Sequence, residues 1–204
     1  MKILCVGRNY REHADELKNK VPEVPLFFMK PDSSLLEGGG RFPYPSFTAN
    51  LHFETELILR IGRDGKDIPK ERADHYIEGV GIGFDLTARD IQEELKRNGH
   101  AWEKAKAFDR AAPSSETFIP LSEIPDLSNL DFSCEKNGEL VQEGNSGAMI
   151  FSVDELLAYI SRFVSLKKGD LLFTGTPSGV GALQKGDRLE AFIGRRSFLE
   201  LLIE

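Results

Sequence analysis

Two glutamates sit two residues apart inside an apolar run, Leu51-His52-Phe53-Glu54-Thr55-Glu56-Leu57-Ile58-Leu59, that alternates like a β-strand. Side chains two apart on a strand leave from the same face. Glu54 and Glu56 then repel each other across roughly 7 Å of Cα separation unless a cation lies between them. Any fold adopted by this chain must answer that repulsion inside a core strand. A third carboxylate, Asp85, closes another apolar segment, Val80-Gly81-Ile82-Gly83-Phe84, just ahead of a helix. Three acidic groups on rigid elements suit an oxygen-ligated Mg²⁺, Mn²⁺ or Ca²⁺. The same spacing also fits a polar strand face followed by an N-cap aspartate.

The rest of the chain is cut into short segments. Residues 2–6 read as a strand turned by Gly7-Arg8-Asn9-Tyr10, and residues 10–18 as a helix confined by Pro22 and Pro25. Leu26 to Met29 is a second strand stopped by Lys30-Pro31, and glycines 38–40 with Pro43 and Pro45 mark a loop. Residues 51–62 form the strand bearing the two glutamates, Pro69 to His75 a short helix, and residues 78–85 the strand leading to Asp85. Thr87 and Asp90 resemble a capping box for a helix running to about Arg97. Residues 107–120 read as irregular. Asn137-Gly138 turns a hairpin over residues 130–142, and Ser152-Val153-Asp154-Glu155 caps a helix to about Phe163. Leu171 to Phe173 is a strand, and residues 188–193 and 197–203 are two more. Many short strands, few helices and no βαβ rhythm predict an α+β fold. At 204 residues the chain is expected to form a single domain, residues 1–204.

A net charge of −7 and the absence of any Lys/Arg run argue against nucleic-acid or anionic-membrane binding. Cys5 and Cys134 form no CxxC, so neither a disulfide framework nor a structural zinc is indicated. No signal-peptide pattern and no membrane-length apolar run occur, which gives the expectation of a cytoplasmic protein.

Several polar groups could converge on the carboxylates. Asp85, Arg89 and Gln92 recur at i, i+4 and i+7, one helix face that would suit an anionic, oxygen-rich small molecule or simply be solvated. His13 and Glu16 are neighbours if their segment is helical, the pairing of a general base with the carboxylate that fixes its tautomer. Lys106 matters only if it points at the acidic cluster, where it could stabilise developing negative charge. Thr174-Gly175-Thr176-Pro177-Ser178-Gly179-Val180-Gly181 is neither a P-loop nor a dinucleotide fingerprint. It reads either as a plain glycine turn or as a tight loop offering a threonine hydroxyl and backbone N–H groups to a carboxylate.

In order, these segments resemble the fumarylacetoacetate hydrolase family. The resemblance rests on Val6-Gly7-Arg8-Asn9-Tyr10 with His13 and Glu16, Phe28-Met29-Lys30-Pro31, His52 with Glu54 and Glu56, and Asp85 with Thr87, Ala88, Arg89, Asp90 and Gln92. It continues through Lys106 with Phe108 and the loop Thr174 to Gly181, spanning residues 2 to 202. It implies a mixed, multilayered β-roll of the family's C-terminal catalytic-domain type, and a homodimer. It also implies that Glu54, Glu56 and Asp85 ligate Mg²⁺ or Mn²⁺ and that Lys106 stabilises enolate charge. His13, supported by Glu16, would activate water, while Arg8, Arg89, Gln92, Gly175 and Thr176 would bind substrate.

The activity so implied is metal-dependent hydrolysis of the C–C bond of acylpyruvates such as fumarylpyruvate or acetylpyruvate, with oxaloacetate decarboxylation at the same site. An isomerase or decarboxylase of 2-hydroxyhepta-2,4-diene-1,7-dioate type is the alternative. The stretch Phe108-Asp109-Arg110-Ala111-Ala112-Pro113 departs from the pattern that many isomerase-type members carry there. A metal-dependent 2-oxo-acid binding protein without turnover is the alternative of another class.

Overall fold

The computed structural model describes residues 1–17 and 19–204. Strand β1 (Ile3–Gly7) is apolar and almost wholly buried. It ends at Arg8, whose φ of 58° bends the chain through the left-handed region. Helix α1 (Arg11–Glu16) follows, shorter than the expected 10–18, whose last position lies outside the described residues. Next come β2 (Leu26–Lys30), β3 (Leu35–Glu37), β4 (Gly40–Phe42), β5 (Leu51–Phe53), β6 (Thr55–Ile61), β7 (Ile77–Phe84) and β8 (Thr87–Ala88). Helices α2 (Arg89–Arg97) and α3 (Glu103–Lys106) lead to β9 (Ala112–Ser114), β10 (Ile119–Pro120), β11 (Asp131–Lys136) and β12 (Glu139–Asn145). Helix α4 (Val153–Ser161) and β13 (Leu171–Phe173), β14 (Gly181–Ala182), β15 (Arg188–Ile193) and β16 (Arg196–Ile203) complete the chain.

The strands form three sheets. The largest runs β2-β1-β13-β6-β7-β9-β3, with β10 also paired to β7. A second runs β12-β11-β15-β16-β4, and a small third β14-β5-β8. Parallel pairs (β1 with β13, β3 with β9, β4 with β16) mix with antiparallel ones. This is the α+β class expected from the strand pattern, with the multilayered β-structure that the family resemblance implies.

The main core lies between the first two sheets. Leu57, Leu59, Val80 and Ile82 belong to one apolar cluster with Phe132, Leu189, Ala191 and Leu201. Because side chains alternate, Ile58 of β6 faces the other way and joins Ile3, Cys5, Ala112, Leu171 and Phe173 in a second cluster. The large sheet is thus buried on both faces, which is why β1 reads as a nearly unbroken apolar run and β6 carries Leu57-Ile58-Leu59 at its centre.

Three expectations fail. The strand over 51–62 is two strands in different sheets, broken at Glu54. The Thr87–Asp90 capping box does not form. Thr87 lies in β8 and donates to the Asp85 carbonyl at 3.1 Å, while Asp90 accepts from Thr48 Oγ1 at 2.5 Å and Ala49 N at 3.0 Å. Residues 107–120 contain β9 and β10, which pair with β7. Glycine permits that pairing: a Cβ on Gly83 would stand 2.4 Å from the Pro113 carbonyl oxygen, and one on Gly79 2.5 Å from that of Ile119. The local signals at Asn137-Gly138 and Ser152 hold. Asn137 and Gly138 both have positive φ, as a type I′ turn needs, and Ser152 with Glu155 forms a complete capping box.

Candidate metal and 2-oxo-acid site

The break at Glu54 builds the centre of the site. Leaving the small sheet and entering the large one, the chain turns Glu54 inward beside the end of β7, where the Asp85 N–H donates to the Glu54 carbonyl at 2.8 Å. Glu54, Glu56 and Asp85 are all buried, and one oxygen from each lies within 4.8 Å of the others. Asp85 is not part of the α2 face, because β8 intervenes. Instead that face carries Arg89 and Gln92, joined by a 2.6 Å bond from Arg89 Nη1 to Gln92 Oε1.

Cations surround two of the three carboxylates. Lys106, the last residue of α3, donates from Nζ to Glu54 Oε2 at 2.8 Å and Asp85 Oδ2 at 2.6 Å. Arg89 Nη2 donates to Glu54 Oε1 at 2.5 Å. On the far side, Lys30 Nζ stands 2.7 Å from Asp85 Oδ1 and donates to the Ala111 carbonyl at 2.8 Å. Burial pushes the Glu54 carboxyl up, but Lys106 and Arg89 outweigh it and hold the group well below its ordinary value. Glu56 behaves oppositely. Burial, with Asp85 and Glu54 beside it, raises it well above the ordinary value, opposed chiefly by the Gly175 N–H at 2.7 Å.

This donor set fits a hard divalent cation. All three groups are carboxylates, the preferred ligands of Mg²⁺, Mn²⁺ and Ca²⁺. Asp85 Oδ1 has no hydrogen bond of acceptable geometry, since Lys30 approaches off the bonding direction. Glu56 lacks an ion-pair partner among the described residues. A cation between these oxygens would supply the positive charge that Glu56 is missing.

The His13–Glu16 pair borders the same carboxylates. His13 is buried, its Nδ1 3.4 Å from Glu16 Oε2. Burial lowers its pKa below the ordinary 6.5, with Glu54 and Glu16 partly opposing, so the imidazole is neutral at pH 7. Helix α1 is pinned to the 174–181 loop, Gly179 N donating to Glu16 Oε1 at 3.2 Å and Ser178 Oγ to Glu12 Oε2 at 3.4 Å. Within that loop Thr176 Oγ1 accepts from Gln142 Nε2 at 2.9 Å, and Gln142 Oε1 accepts from Thr55 N at 2.9 Å.

A single cleft, partly open to solvent, collects Arg8, His13, Glu54, Glu56, Asp85, Arg89, Gln92, Lys106 and Thr176. Glu16 and Gly175 stand behind its wall, each bonded to a residue that lines it. Sequence reasoning missed several groups. Lys30 and Asn9 lie inside quoted motifs but received no role; Asn9 ties the 174–181 loop through a 2.8 Å bond to the Thr174 carbonyl. Gln142 carried no signal at all. Phe28, Lys96 and Trp102 also line the cavity.

A mixed β fold with a buried carboxylate cluster, a lysine and a histidine–glutamate pair defines an enzyme site rather than a structural one. The model of the fumarylacetoacetate (FAA) hydrolase C-terminal domain matches residues 2–201, and the chain belongs to that family of enzymes. It is 41% identical over 191 residues to the mitochondrial oxaloacetate tautomerase FAHD1 of Rattus norvegicus, covering 94% of this chain and 86% of that protein. It is 42% identical over 193 residues to the mitochondrial oxaloacetate decarboxylase of Dictyostelium discoideum, covering 94% and 88%. The crystal structure of fumarylpyruvate hydrolase from Pseudomonas aeruginosa with Mn²⁺ and pyruvate superposes with a TM-score of 0.94 at 38% identity, covering 100% of this chain and 89% of that one. Among the described residues no helix is long and apolar enough to cross a membrane.

Proposed function

We propose that the protein is a Mg²⁺- or Mn²⁺-dependent hydrolase of acylpyruvates that releases pyruvate, and that it also accepts oxaloacetate. The observation that carries this reading is the convergence of Lys106 and a neutral His13 on one buried carboxylate cluster. Glu54, Glu56 and Asp85 would hold the cation, which when bound supplies a Lewis acid for the 2-oxo-acid end of the substrate.

The chain's own groups do the rest. Arg89, Gln92 and Thr176 orient the carboxylate, and Gln142 fixes the Thr176 hydroxyl. Glu16 engages His13 Nδ1, leaving Nε2 to take a proton from water. The hydroxide so formed attacks the distal carbonyl carbon. The C–C bond to the pyruvyl methylene breaks, and its electron pair passes into the enolate of pyruvate. Lys106 stabilises that charge from its buried position, and the proton on His13 returns to the methylene carbon. The cleaved acyl group leaves as a carboxylic acid that gives its proton to solvent, so carboxylate, pyruvate and one proton are the balanced products.

Oxaloacetate decarboxylation or enol–keto interconversion is the second reading, favoured by the names of the relatives at 41–42% identity. Both need the enolate-stabilising half of the site and no water-activating base. The family resemblance also leads us to read the chain as a homodimer, which light scattering at twice the chain mass would test. Purified protein is assayed on acetylpyruvate, fumarylpyruvate and oxaloacetate with Mg²⁺, with Mn²⁺ and with EDTA. Metal-dependent pyruvate release from the acylpyruvates, lost in His13→Ala, is the expected result. Oxaloacetate turnover without acylpyruvate cleavage would overturn hydrolysis in favour of the second reading.

A further inference from the structure

Where asparagine precedes glycine, the glycine nitrogen can attack the asparagine side-chain amide, because no Cβ hinders its approach. The chain has two such pairs, Asn98-Gly99 and Asn137-Gly138. All four residues are exposed, and a Cβ on either glycine would meet nothing within 4 Å, so space does not distinguish the pairs. The asparagine side chains do. Asn137 Nδ2 donates to Asp187 Oδ1 at 2.8 Å, and its Oδ1 accepts from Arg188 N at 2.9 Å, which fastens the amide to the start of β15. Asn98 closes α2 and makes no side-chain hydrogen bond among the described residues. There the Gly99 N–H reaches the Lys96 carbonyl at a long 3.3 Å and the His100 N–H the Leu95 carbonyl at 2.9 Å. With Gly99 at a φ of 67°, this is a Schellman end.

We propose that Asn98-Gly99 is a modification site at which Asn98 converts to isoaspartate without an enzyme, and that Asn137-Gly138 is held against the same change. The Gly99 nitrogen, its proton lost to hydroxide, attacks Asn98 Cγ. A C–N bond forms, the Cγ–Nδ2 bond breaks, and Nδ2 takes up a proton and leaves as ammonia. Water then opens the five-membered imide that remains. Attack at Cγ gives aspartate. Attack at the Asn98 backbone carbonyl carbon gives isoaspartate, in which the chain runs on through Cβ and Cγ. Either way one amide and one water become one carboxylate and one ammonium ion. At Asn98 the first step needs only the long Gly99 bond to open, which belongs to the fraying of a helix end. At Asn137 both side-chain bonds must break before Cγ can turn. Location gives the site its weight. Helix α2 carries Arg89 and Gln92 into the cleft, and Arg89 and Lys96 also line an adjoining hollow with Arg97. Isoaspartate inserts a carbon into the backbone just after that hollow and removes the geometry of the two Schellman bonds. It also sets a carboxylate at the end of α2, where the carbonyl dipoles disfavour negative charge.

The test follows both asparagines in the full chain, folded and in urea, during incubation at mildly alkaline pH. Peptide mass spectrometry reads the gain of one mass unit at each site, and an isoaspartyl methyltransferase with a labelled methyl donor counts the isoaspartate. In urea the two sites should convert at matching rates. In the folded protein Asn98 should convert at least about tenfold faster than Asn137, whose hydrogen bonds must open first. Asn98→Gln, which would have to close a six-membered ring, should lose the fast conversion. Amide hydrogen exchange at Gly99 and His100 should be faster in the converted protein than in the fresh one. Equal rates at the two sites in the folded protein, or no conversion at Asn98 there, would overturn the proposal. A difference that persists in urea would place its cause in the neighbouring residues and overturn the protection of Asn137. Unchanged exchange would overturn the effect on α2.

Discussion

Lys30 Nζ lies 2.7 Å from Asp85 Oδ1, and both side chains are shut away from solvent. The lysine also donates to the Ala111 carbonyl, and it passes 5.9 Å from the Phe108 ring. It therefore ties β2, the end of β7 and the start of β9 into one ionic knot beneath the metal candidates. Removing the lysine leaves the buried Asp85 carboxylate with Lys106 alone as its counter-charge. Lys30→Met is expected to lower unfolding stability by about 3–5 kcal/mol and to weaken Mg²⁺ binding by disordering Asp85. Chemical denaturation and metal titration measure the two effects. A stability loss below about 1 kcal/mol would mean that Lys106 alone balances Asp85 in the folded protein.

Gln142 acts at a distance from the metal candidates. Its amide bridges Thr55 N on β6 to the Thr176 hydroxyl and the Pro177 carbonyl, at 2.9 Å, 2.9 Å and 3.0 Å. Gln142→Leu keeps the bulk but leaves these groups unpartnered, an expected cost of about 1–3 kcal/mol. With Thr176 free to rotate, KM for 2-oxo acids should rise more than kcat falls. Steady-state kinetics beside thermal unfolding would separate positioning from stability, since a purely structural role would leave KM unchanged in the folded fraction.

What the sequence made legible divides along the range of each interaction. The Ser152 box and the Asn137-Gly138 turn are decided within four residues, and both form as read. The glutamate pair was legible because alternation is local, yet the break at Glu54 was not: the apolar pattern runs on unchanged while the chain passes from one sheet to another. Thr87 and Asp90 have the right spacing for a cap, but Thr48 and Ala49, more than forty residues earlier, claim the aspartate. Strands β9 and β10 were hidden for the same reason, because their pairing depends on glycines in β7. Gln142 is the extreme case. Its partners at 55 and 176 lie far along the chain, and a single glutamine in a hairpin strand carries no period or motif.

In the proposed hydrolysis, His13 is expected to set the acid limb of the pH profile. Burial holds the folded-state pKa below 6.5, so the imidazole is already the free base at neutral pH. As pH falls through that lowered pKa, the base is protonated and kcat/KM should drop about tenfold per pH unit. Above it the rate should be flat until another group titrates. Stability follows the same sense. Between the lowered pKa and 6.5 the unfolded chain binds more protons than the folded one, so stability is lost as pH falls through this window. A limb centred above 6.5 would remove His13 from the role of base.

Glu56 makes metal binding a proton-linked event. Burial beside Asp85 and Glu54 raises its pKa well above 4.5 in the protein without a cation, so the protonated form persists to higher pH than in an ordinary glutamate. A divalent ion requires the ionised carboxylate, and its arrival should expel that proton. Titrating Mg²⁺ or Mn²⁺ by calorimetry across a pH series, in buffers of different ionisation enthalpy, should reveal net proton release at the lower pH values, with affinity that rises as pH rises. Saturation at about 100 times Kd should add about 2.7 kcal/mol to unfolding stability, and EDTA should remove it. In Glu56→Gln the proton release should vanish and affinity should fall, because the variant supplies one charged ligand fewer. Tight binding without proton release in the wild-type protein would show instead that Glu56 is ionised before the metal arrives and that Lys106 or Lys30 already balances it.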